Sequence, residues 1–436
     1  MVVLGFGAAT LVGTLLLMLP MATESRTVSG PMTALFTAVS AVCVTGLVVV
    51  DTESHWSMFG ELVILGLIQI GGLGIMTLAS LLGLLVARRM GLRMQLIAQS
   101  ETKTLRLGES RRVVIGVIRM SLLIEAIVAV VLTARFVFGY GETGWRGLYL
   151  GVFHSISAYN NAGFALYADN LVGLASDPLI MVPIACAFII GGLGFPVVFE
   201  VQRSLRRQGY GRRWSLHTRL TVLTYFALAL LGIVFVVALE WSNPGTLGPL
   251  SAPQKLLVGG FSGLTPRTAG FNNVDVGAMN SSTLLVTDVL MFIGGGSAGT
   301  AGGIKVTTFA LLAFVIIAEV RGEPTVHVLG RKLAAPVQRQ AVTVALLGVG
   351  AVVVGTITLL TITGMDLDDV LFEVVSAFGT VGLSTGITAA IPDPGLIVLI
   401  ALMFIGRLGP ITLATALALR SRGRRYELPE ERPIVG

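Results

Sequence analysis

The sequence predicts an all-α membrane protein in which four pseudo-symmetric repeats surround one central axis. Hydrophobic residues make up 54% of the 436 residues and charged residues only 12%, about half the charged share of a soluble domain. Several apolar runs exceed the ~18 residues that indicate a spanning helix. Two short glycine motifs also recur four times each, in the same relative order. The composition therefore predicts the membrane, and the motifs predict the repeats.

Each repeat contains a long apolar run, a shorter segment that ends in glycine, and a second long apolar run that leads into a basic block. The predicted repeat boundaries are 1–100, 101–210, 211–325 and 326–436, the last with a cytoplasmic C-terminal tail. The first runs cover about 2–20, 113–138, 220–240 and 341–363, and the second runs about 62–87, 179–201, 284–318 and 396–419. These runs predict eight transmembrane helices.

The basic residues predict the orientation of the chain. Most of the 30 Lys and Arg fall in four blocks, at 88–119, 203–219, 321–339 and 420–432, whereas the segments between them carry mainly acids. Because cytoplasmic loops are rich in Lys and Arg, the blocks and both termini are predicted to be cytoplasmic. Nucleic-acid binding would need these charges on one exposed face and is excluded. Anionic membrane lipids are an expected partner of the blocks, and the docking of a cytoplasmic protein would explain them equally well.

The shorter segments end alike in all four repeats. In repeats 1, 2 and 4 a Phe lies ten residues and a Ser six residues before the last glycine, and repeat 3 is one residue shorter with Thr for Ser. About a dozen residues are too few to span a bilayer and suit a re-entrant helix, here called a pore helix. Each helix C-terminus carries about half a negative charge. Four of them aimed at one central pore would favour a cation without an acidic side chain in its path.

The loops after the pore helices, at 43–50, 160–165, 267–272 and 379–385, form the predicted ion filter. Glycine reaches backbone angles that other residues avoid and adds no side chain to a narrow ring, and rings of carbonyls can replace the water shell of a cation. Four glycines in register therefore predict a filter rather than four unrelated turns. The predicted ion-binding backbone belongs to Val44, Thr45, Gly46, Asn161, Ala162, Gly163, Thr268, Ala269, Gly270, Thr380, Val381 and Gly382.

The second runs carry their own recurring motif, Ile-Gly-Gly, at 70–74, 190–194, 293–297 and 405–409, and the third copy departs from it. Residues 294–303 hold six glycines, each of which costs a helix about 1 kcal/mol relative to Ala. This segment is predicted to unwind into an intramembrane loop that obstructs the pore below the filter. A phosphate-binding loop is excluded, since the Gly-Lys-Ser/Thr order is missing.

Arg407 replaces the second glycine of the fourth motif and is predicted near mid-membrane, where a charge is costly and usually functional. It either latches the loop by donating to its freed carbonyls or packs a helix against other carbonyls. Lys305 either assists this latch or reaches the inner interface. The candidate gate residues are Gly294, Gly295, Gly296, Ser297, Gly299, Gly302, Gly303, Lys305 and Arg407.

Other polar residues carry weaker signals. Glu125 and Asp288 either pair with polar neighbours or relay protons, and Arg267 is expected to brace its own pore loop from outside. His154 is expected to pack within the second pore helix. Cys43 and Cys186 lie in apolar contexts, so neither a disulfide nor a transition-metal site is predicted.

These motifs resemble the Trk/Ktr/HKT superfamily of cation transporters, and most closely the KtrB-type membrane subunits of Ktr potassium uptake systems. The resemblance rests on Val44-Thr-Gly-Leu-Val-Val, Asn161-Ala-Gly-Phe, Arg267-Thr-Ala-Gly-Phe and Thr380-Val-Gly-Leu-Ser-Thr-Gly and covers nearly the whole chain. It implies potassium as the transported ion, because all four filter positions are glycine and relatives with Ser at the first tend to carry sodium. Each loop keeps only one glycine of the longer Thr-Val-Gly-Tyr-Gly filter of tetrameric channels, which leaves strict rejection of sodium open.

The resemblance also implies a location in a bacterial inner membrane and a gating role for the 294–303 loop. It implies a homodimer in which each chain holds its own pore, and a KtrA-like cytoplasmic ring of nucleotide-binding subunits that reads ATP or ADP. No covalently bound cofactor is implied, and activation by sodium is left open.

Gated potassium uptake is the leading functional prediction. A sodium-permeable or sodium-coupled transporter of the same superfamily is one alternative, and an alternating-access secondary transporter is another. Folds of the latter kind usually show inverted repeats and midplane carboxylates, whereas each basic block here follows the same part of its repeat. An enzyme is not predicted, since the chain offers no nucleophile–base pair and no metal motif.

Overall fold

A computed structural model describes residues 2–89, 109–206 and 214–419. Parts of the first two predicted basic blocks lie outside these described residues, as do the fourth block and the predicted cytoplasmic tail beyond residue 419. The described chain is mostly helical, in agreement with the predicted fold class. Its first part contains α1 (Val2–Leu17), α2 (Pro31–Val42), the single turn α3 (Thr52–His55) and α4 (Met58–Arg89). Pro31 opens α2 at a position where the missing N–H costs nothing.

The second part contains α5 (Glu109–Tyr140), α6 (Gly144–Tyr159), α7 (Pro178–Leu193) and α8 (Phe195–Arg206). The prediction of one helix over 179–201 is wrong, because α7 and α8 meet at 104°. The bend lies at Gly194, whose φ of 88° is readily adopted only by glycine. A Cβ there would lie 2.5 Å from the carbonyl oxygen of Ser297, so the bend also depends on close contact with the glycine-rich segment.

The third part contains α9 (Leu216–Glu240), α10 (Ala252–Leu264), α11 (Ser281–Phe292) and α12 (Val306–Val320). An antiparallel hairpin of β1 (His327–Val328) and β2 (Arg331–Lys332) follows.

The last part contains α13 (Ala335–Thr363), α14 (Leu367–Gly379) and α15 (Asp393–Leu419). In each of the four parts, a short helix of 12 to 16 residues (α2, α6, α10 and α14) therefore follows a longer apolar helix.

Several helices are long and apolar enough to cross a membrane. Within the described ranges, α5, α9 and α13 meet this condition singly, and α7 with α8 meets it as a bent pair. Large apolar side chains on these helices are exposed, including Leu123, Val130 and Val354, as expected of surfaces that face lipid. The α1, α11 and α12 helices are apolar but shorter, and the eight-span layout stays a prediction.

The short helices occupy the centre of the molecule. The last residues of α2, from Phe36 to Val42, are buried, as are those of α14 from Phe372 to Gly379. The two largest apolar clusters both draw on α2, one with α6 and the other with α14. Burying the short helices among the long ones places the ends of all four chain segments near a common centre.

The Ile-Gly-Gly motif allows the second long helix to approach the end of the short one. A Cβ at Gly71 would collide with the carbonyl oxygen of Val42, and one at Gly406 with that of Phe378. Gly191 meets the carbonyl oxygen of Tyr159 in the same way. In the third copy, Gly294 instead meets Gly302 within its own segment. The motif is thus a close-packing contact in three copies, and the third copy is diverted.

Gly71→Ala is expected to lower the thermal midpoint of the purified protein, because the new methyl group has no space against the carbonyl of Val42. Overpacking of this kind costs about 1–3 kcal/mol. Gly66→Ala on the same helix is the control, since nothing lies within 4 Å of its Cβ position. Fluorescence-detected size-exclusion chromatography after heating measures both variants, and equal midpoints would contradict the packing role of Gly71.

Candidate ion filter and gate

The structure brings the four predicted filter glycines together in a closed ring. A Cβ at Gly46 would collide with the carbonyl oxygen of Ala162, and one at Gly163 would lie 2.7 Å from the Cα of Gly270. A Cβ at Gly270 would collide with the carbonyl oxygen of Val381, and one at Gly382 would lie 3.0 Å from the Cα of Gly46. Each loop therefore touches the next, and the fourth touches the first. No side chain fits at any of the four positions without displacing the neighbouring backbone.

The four loops share one backbone conformation. Each glycine has a φ between 70° and 95°. The residue two positions before it is also left-handed, although it is never glycine: these residues are Val44, Asn161, Thr268 and Thr380, with φ of 48° to 67°. Such angles are uncommon for non-glycine residues and most costly for a branched one. The shared strain indicates that all four loops are held in the same path by their surroundings.

Backbone hydrogen bonds hold this path. The residue between the two left-handed positions donates its N–H to the carbonyl of the recurring Ser or Thr, which lies in the short helix or directly after its last residue. The donors and acceptors are Thr45 and Ser40 (2.8 Å), Ala162 and Ser157 (2.8 Å), Ala269 and Thr265 (2.9 Å), and Val381 and Ser376 (2.9 Å). The loops therefore fold back onto the ends of the short helices.

The hydroxyl groups of the same Ser and Thr residues explain their recurrence. The Oγ of Ser40 accepts the N–H of Gly46, and that of Ser376 accepts the N–H of Gly382, both at 3.1 Å. Ser157 instead donates to the carbonyl of Phe164 at 2.7 Å, and Thr265 donates to that of Phe271 at 2.6 Å. One hydroxyl thus anchors each loop. It accepts from the filter glycine in repeats 1 and 4, and it donates to a carbonyl after that glycine in repeats 2 and 3.

One filter carbonyl has an additional partner that the sequence did not reveal. The Nδ2 of Asn170 donates to the carbonyl oxygen of Gly163 at 3.1 Å. The residues at the same distance after the other three glycines are Glu53, Gly277 and Ala389. Because none of these is an amide, the ring departs from fourfold symmetry at repeat 2.

The glycine-rich segment is unwound, as predicted. Helix α11 ends at Phe292 and α12 begins at Val306, so the non-helical segment includes all of 294–303. Gly294 donates its N–H to the carbonyl of Ile304 at 2.8 Å, which closes the base of the loop. The loop also docks on α7, because Gly296 donates to the carbonyl of Gly192 at 2.7 Å.

The far side of the loop lies against the filter. A Cβ at Gly302 would collide with the Oγ1 of Thr380 and would lie 2.9 Å from the carbonyl oxygen of Gly379. The loop therefore approaches the fourth filter segment without an intervening side chain.

Both predicted cations of the gate contact loop carbonyls. Arg407 is buried, and its Nη1 donates to the carbonyl of Thr300. Its Nε and Nη2 have no hydrogen-bond partner among the described residues. Lys305 donates to the carbonyls of Ala301 at 2.5 Å and Gly302 at 3.4 Å. This is the geometry of the predicted latch, and its action as a gate stays a prediction.

Arg267 has a different role from the expected one. It is fully buried, and its guanidinium donates to the carbonyls of Leu290 at 3.1 Å and Ile293 at 3.0 Å rather than bracing its own loop. Because α11 stops inside the protein, its last carbonyls lose their helical partners. A buried cation satisfies them and complements the negative end of the helix. In the sequence, only the glycines that follow α11 and end it early indicated that a donor for these carbonyls was needed.

The weaker candidates are placed as follows. Glu125 accepts from Gln69 Nε2 at 3.1 Å and from Asn160 Nδ2 at 3.2 Å, which favours polar pairing over proton relay. His154 is buried, and its Nδ1 donates to the carbonyl of Leu150 at 2.8 Å. Asp288 is buried, and its Oδ1 has no partner among the described residues. Cys43 and Cys186 are both free thiols.

A closed ring of glycine loops at the ends of short buried helices, with a cation-held loop beside it, is an arrangement suited to ion passage. The sequence from residue 3 to 424 matches the TrkH family, described as cation transport proteins. The chain belongs to this family and is a multi-pass integral protein of the inner membrane.

Individual relatives support this assignment. The chain is 40% identical over 422 residues to the Ktr system potassium uptake protein B of Bacillus subtilis, covering 95% of this chain and 92% of that protein. It is 32% identical over 440 residues to the potassium/sodium uptake protein NtpJ of Enterococcus hirae, covering 99% and 96%. The crystal structure of the potassium transporter TrkH from Vibrio parahaemolyticus matches with a TM-score of 0.70 and 20% identity over 96% of this chain and 84% of that one. The last match supports the fold.

Arg267→Met is expected to destabilise the protein, because it leaves the carbonyls of Leu290 and Ile293 buried without donors, at about 1–3 kcal/mol each. Lys255→Met is the control: Lys255 also donates to a backbone carbonyl, that of Trp241, but at an exposed site. Thermal midpoints in detergent report both changes. A midpoint for Arg267→Met as high as that of the control would contradict the capping role.

Proposed function

We propose that this chain is the potassium-selective, ion-translocating subunit of a potassium uptake system. The observation that carries the proposal is the closed ring of Gly46, Gly163, Gly270 and Gly382. Relatives named as potassium uptake proteins, matched over nearly their whole length, support potassium as the ion. Potassium is the transported substrate, and no covalently bound cofactor is required.

The proposed architecture has four repeats with eight transmembrane spans and cytoplasmic termini. The first spans are α1, α5, α9 and α13, the pore helices are α2, α6, α10 and α14, and the second spans are α4, α7 with α8, α11 with α12, and α15. The repeats follow the predicted boundaries 1–100, 101–210, 211–325 and 326–436. With the basic blocks in the cytoplasm, the filter ring faces the outside and the 294–303 loop lies on its inner side.

The filter would work by replacing water around the ion. The C-termini of four pore helices supply on the order of two negative charges in total, and the backbone of the filter loops supplies carbonyl ligands. An inward-negative membrane potential contributes about 2.3 kcal/mol per charge per 100 mV. Uptake can therefore proceed without ATP hydrolysis by this subunit.

The loop and two cations would form the gate. Arg407 places a positive charge on the inner side of the ring, and Lys305 holds the adjacent carbonyls of the same loop. The loop obstructs the ion path below the ring, so its displacement would raise the flux. We propose that a homodimer of this chain binds a KtrA-like cytoplasmic ring whose nucleotide state moves the loop. The relative's description as part of a Ktr system supports a partner subunit.

A sodium-permeable or sodium-coupled transporter is the second candidate. The Enterococcus hirae relative is named for both potassium and sodium, and each filter loop contributes only one glycine to the ring. Alternating access has less support, because the four glycine loops repeat in parallel.

Gly163→Ser is expected to reduce potassium selectivity, because a side chain at Gly163 meets the backbone of Gly270 and the φ of 70° is unfavourable for it. Rubidium and sodium uptake are measured in a strain that lacks its own potassium importers. We expect a loss of rubidium-over-sodium preference of about tenfold, equivalent to ~1.4 kcal/mol.

Gly141→Ser is the matched control, since Gly141 has a φ of 73° but nothing within 4 Å. If Gly163→Ser and Gly141→Ser both keep the selectivity of the wild type, the filter assignment is contradicted. Sodium uptake equal to rubidium uptake in the wild type would favour the second candidate.

Arg407→Ala is expected to raise the rubidium flux of the protein reconstituted in liposomes, because the loop loses its latch and the pore loses a positive charge. Deletion of 294–303 is expected to act in the same direction. Arg339→Ala changes an exposed Arg on α13 and serves as the control. Unchanged or lower flux in folded Arg407→Ala protein would refute the latch.

A further inference from the structure

We propose that Thr300 is a specificity-determining residue, which braces the filter through a hydrogen bond to Asn161 whenever the loop is closed. The inference rests on the proposed function, since it assigns a role in ion selectivity. In this proposal the 294–303 loop both obstructs the pore below the filter and supports the filter itself.

Thr300 lies where the loop, the latch and the filter meet. It is fully buried. Its carbonyl accepts from Arg407, and its N–H donates to the carbonyl of Gly191 at 3.1 Å. Its Oγ1 lies 2.8 Å from the Oδ1 of Asn161 and 3.5 Å from the carbonyl of Tyr159. A hydroxyl has one proton to donate, and the shorter distance assigns it to Asn161.

Asn161 is a filter residue that connects two repeats. It has a φ of 60° and is fully buried. Its Nδ2 faces the Oγ1 of Thr268 at 3.4 Å and the carbonyl of Arg267 at 3.5 Å. The amide contacts are long, so the bond from Thr300 is the strongest one that its side chain makes. Thr300 therefore orients a carboxamide that reaches from the second filter loop to the third.

The pairing is specific to two repeats. The residues equivalent to Asn161 are Val44, Thr268 and Thr380, and only repeat 2 places an amide there. Asn tolerates the left-handed conformation better than most residues, which could by itself account for an Asn at this position. That tolerance does not, however, account for its buried contact with the loop. When the loop leaves, the Oδ1 of Asn161 loses its donor in a buried site. The carboxamide must then turn to another partner, and the filter loop that carries it loses one of its side-chain anchors.

The test is Thr300→Val, which keeps the branched shape and both backbone groups and removes only the hydroxyl. The expected result is a fivefold to tenfold fall in rubidium-over-sodium selectivity in liposomes, about the effect of one hydrogen bond. Thr300→Ser retains the hydroxyl and is expected to keep wild-type selectivity. Thr221→Val is the control, since this Thr is equally buried but bonds only the carbonyl of His217, one turn earlier in its own helix.

The outcomes separate this inference from the proposed function. Absence of selective rubidium uptake by the wild type defeats the proposed function. If the wild type is selective and Thr300→Val is equally selective, the present inference alone is overturned. The same holds if Thr300→Ser loses as much selectivity as Thr300→Val. If Thr300→Val does not fold, Thr300→Ala removes the same hydroxyl with a smaller side chain and is read in the same way.

Discussion

The contact on which the rest of the structure depends is the approach of four backbone segments so close that none tolerates a Cβ. Gly46, Gly163, Gly270 and Gly382 each meet the backbone of the next loop. Such an approach needs short helices that stop at the same depth, and it needs partners that can pack against their ends. The Ile-Gly-Gly motif supplies those partners at Gly71, Gly191 and Gly406. Both recurring motifs are therefore consequences of a single geometric requirement.

A second constraint follows from breaking a helix inside an apolar protein. Where α11 ends at Phe292, backbone carbonyls are left without helical donors, and water is scarce in such surroundings. Cations satisfy these groups: buried Arg267 holds the end of α11, while buried Arg407 and half-buried Lys305 hold the loop that follows. These charges are thus tied to the unwound segment. Because Arg407 belongs to α15, its contact with Thr300 also ties the loop to that helix.

The sequence predicted those features that repeat, and it missed those that arise between repeats. The glycine ring and the unwound loop were readable because four copies define a norm and a departure from it. Arg407 was found because it replaces a glycine in a recurring motif. The bend at Gly194 was missed, since its cause is the neighbouring loop, and the preceding run is apolar throughout. The partners of Arg267 and Thr300 come from segments distant in sequence, and no local pattern encodes those contacts. Asn170 lies only seven residues after Gly163, but its amide belongs to no pattern that the repeats share.

The amide of Asn170 on the Gly163 carbonyl has a consequence for where an ion would rest. In the proposed filter, the Gly163 carbonyl shares its electron density with an N–H donor, whereas the described residues place no such side-chain donor on the other three glycine carbonyls. The electrostatic minimum at that level is then displaced from the geometric centre towards the opposite subsite, that of Gly382. A cation would enter off axis and re-centre only at the next level, so a chain with nearly fourfold backbone would conduct along a slightly curved trajectory.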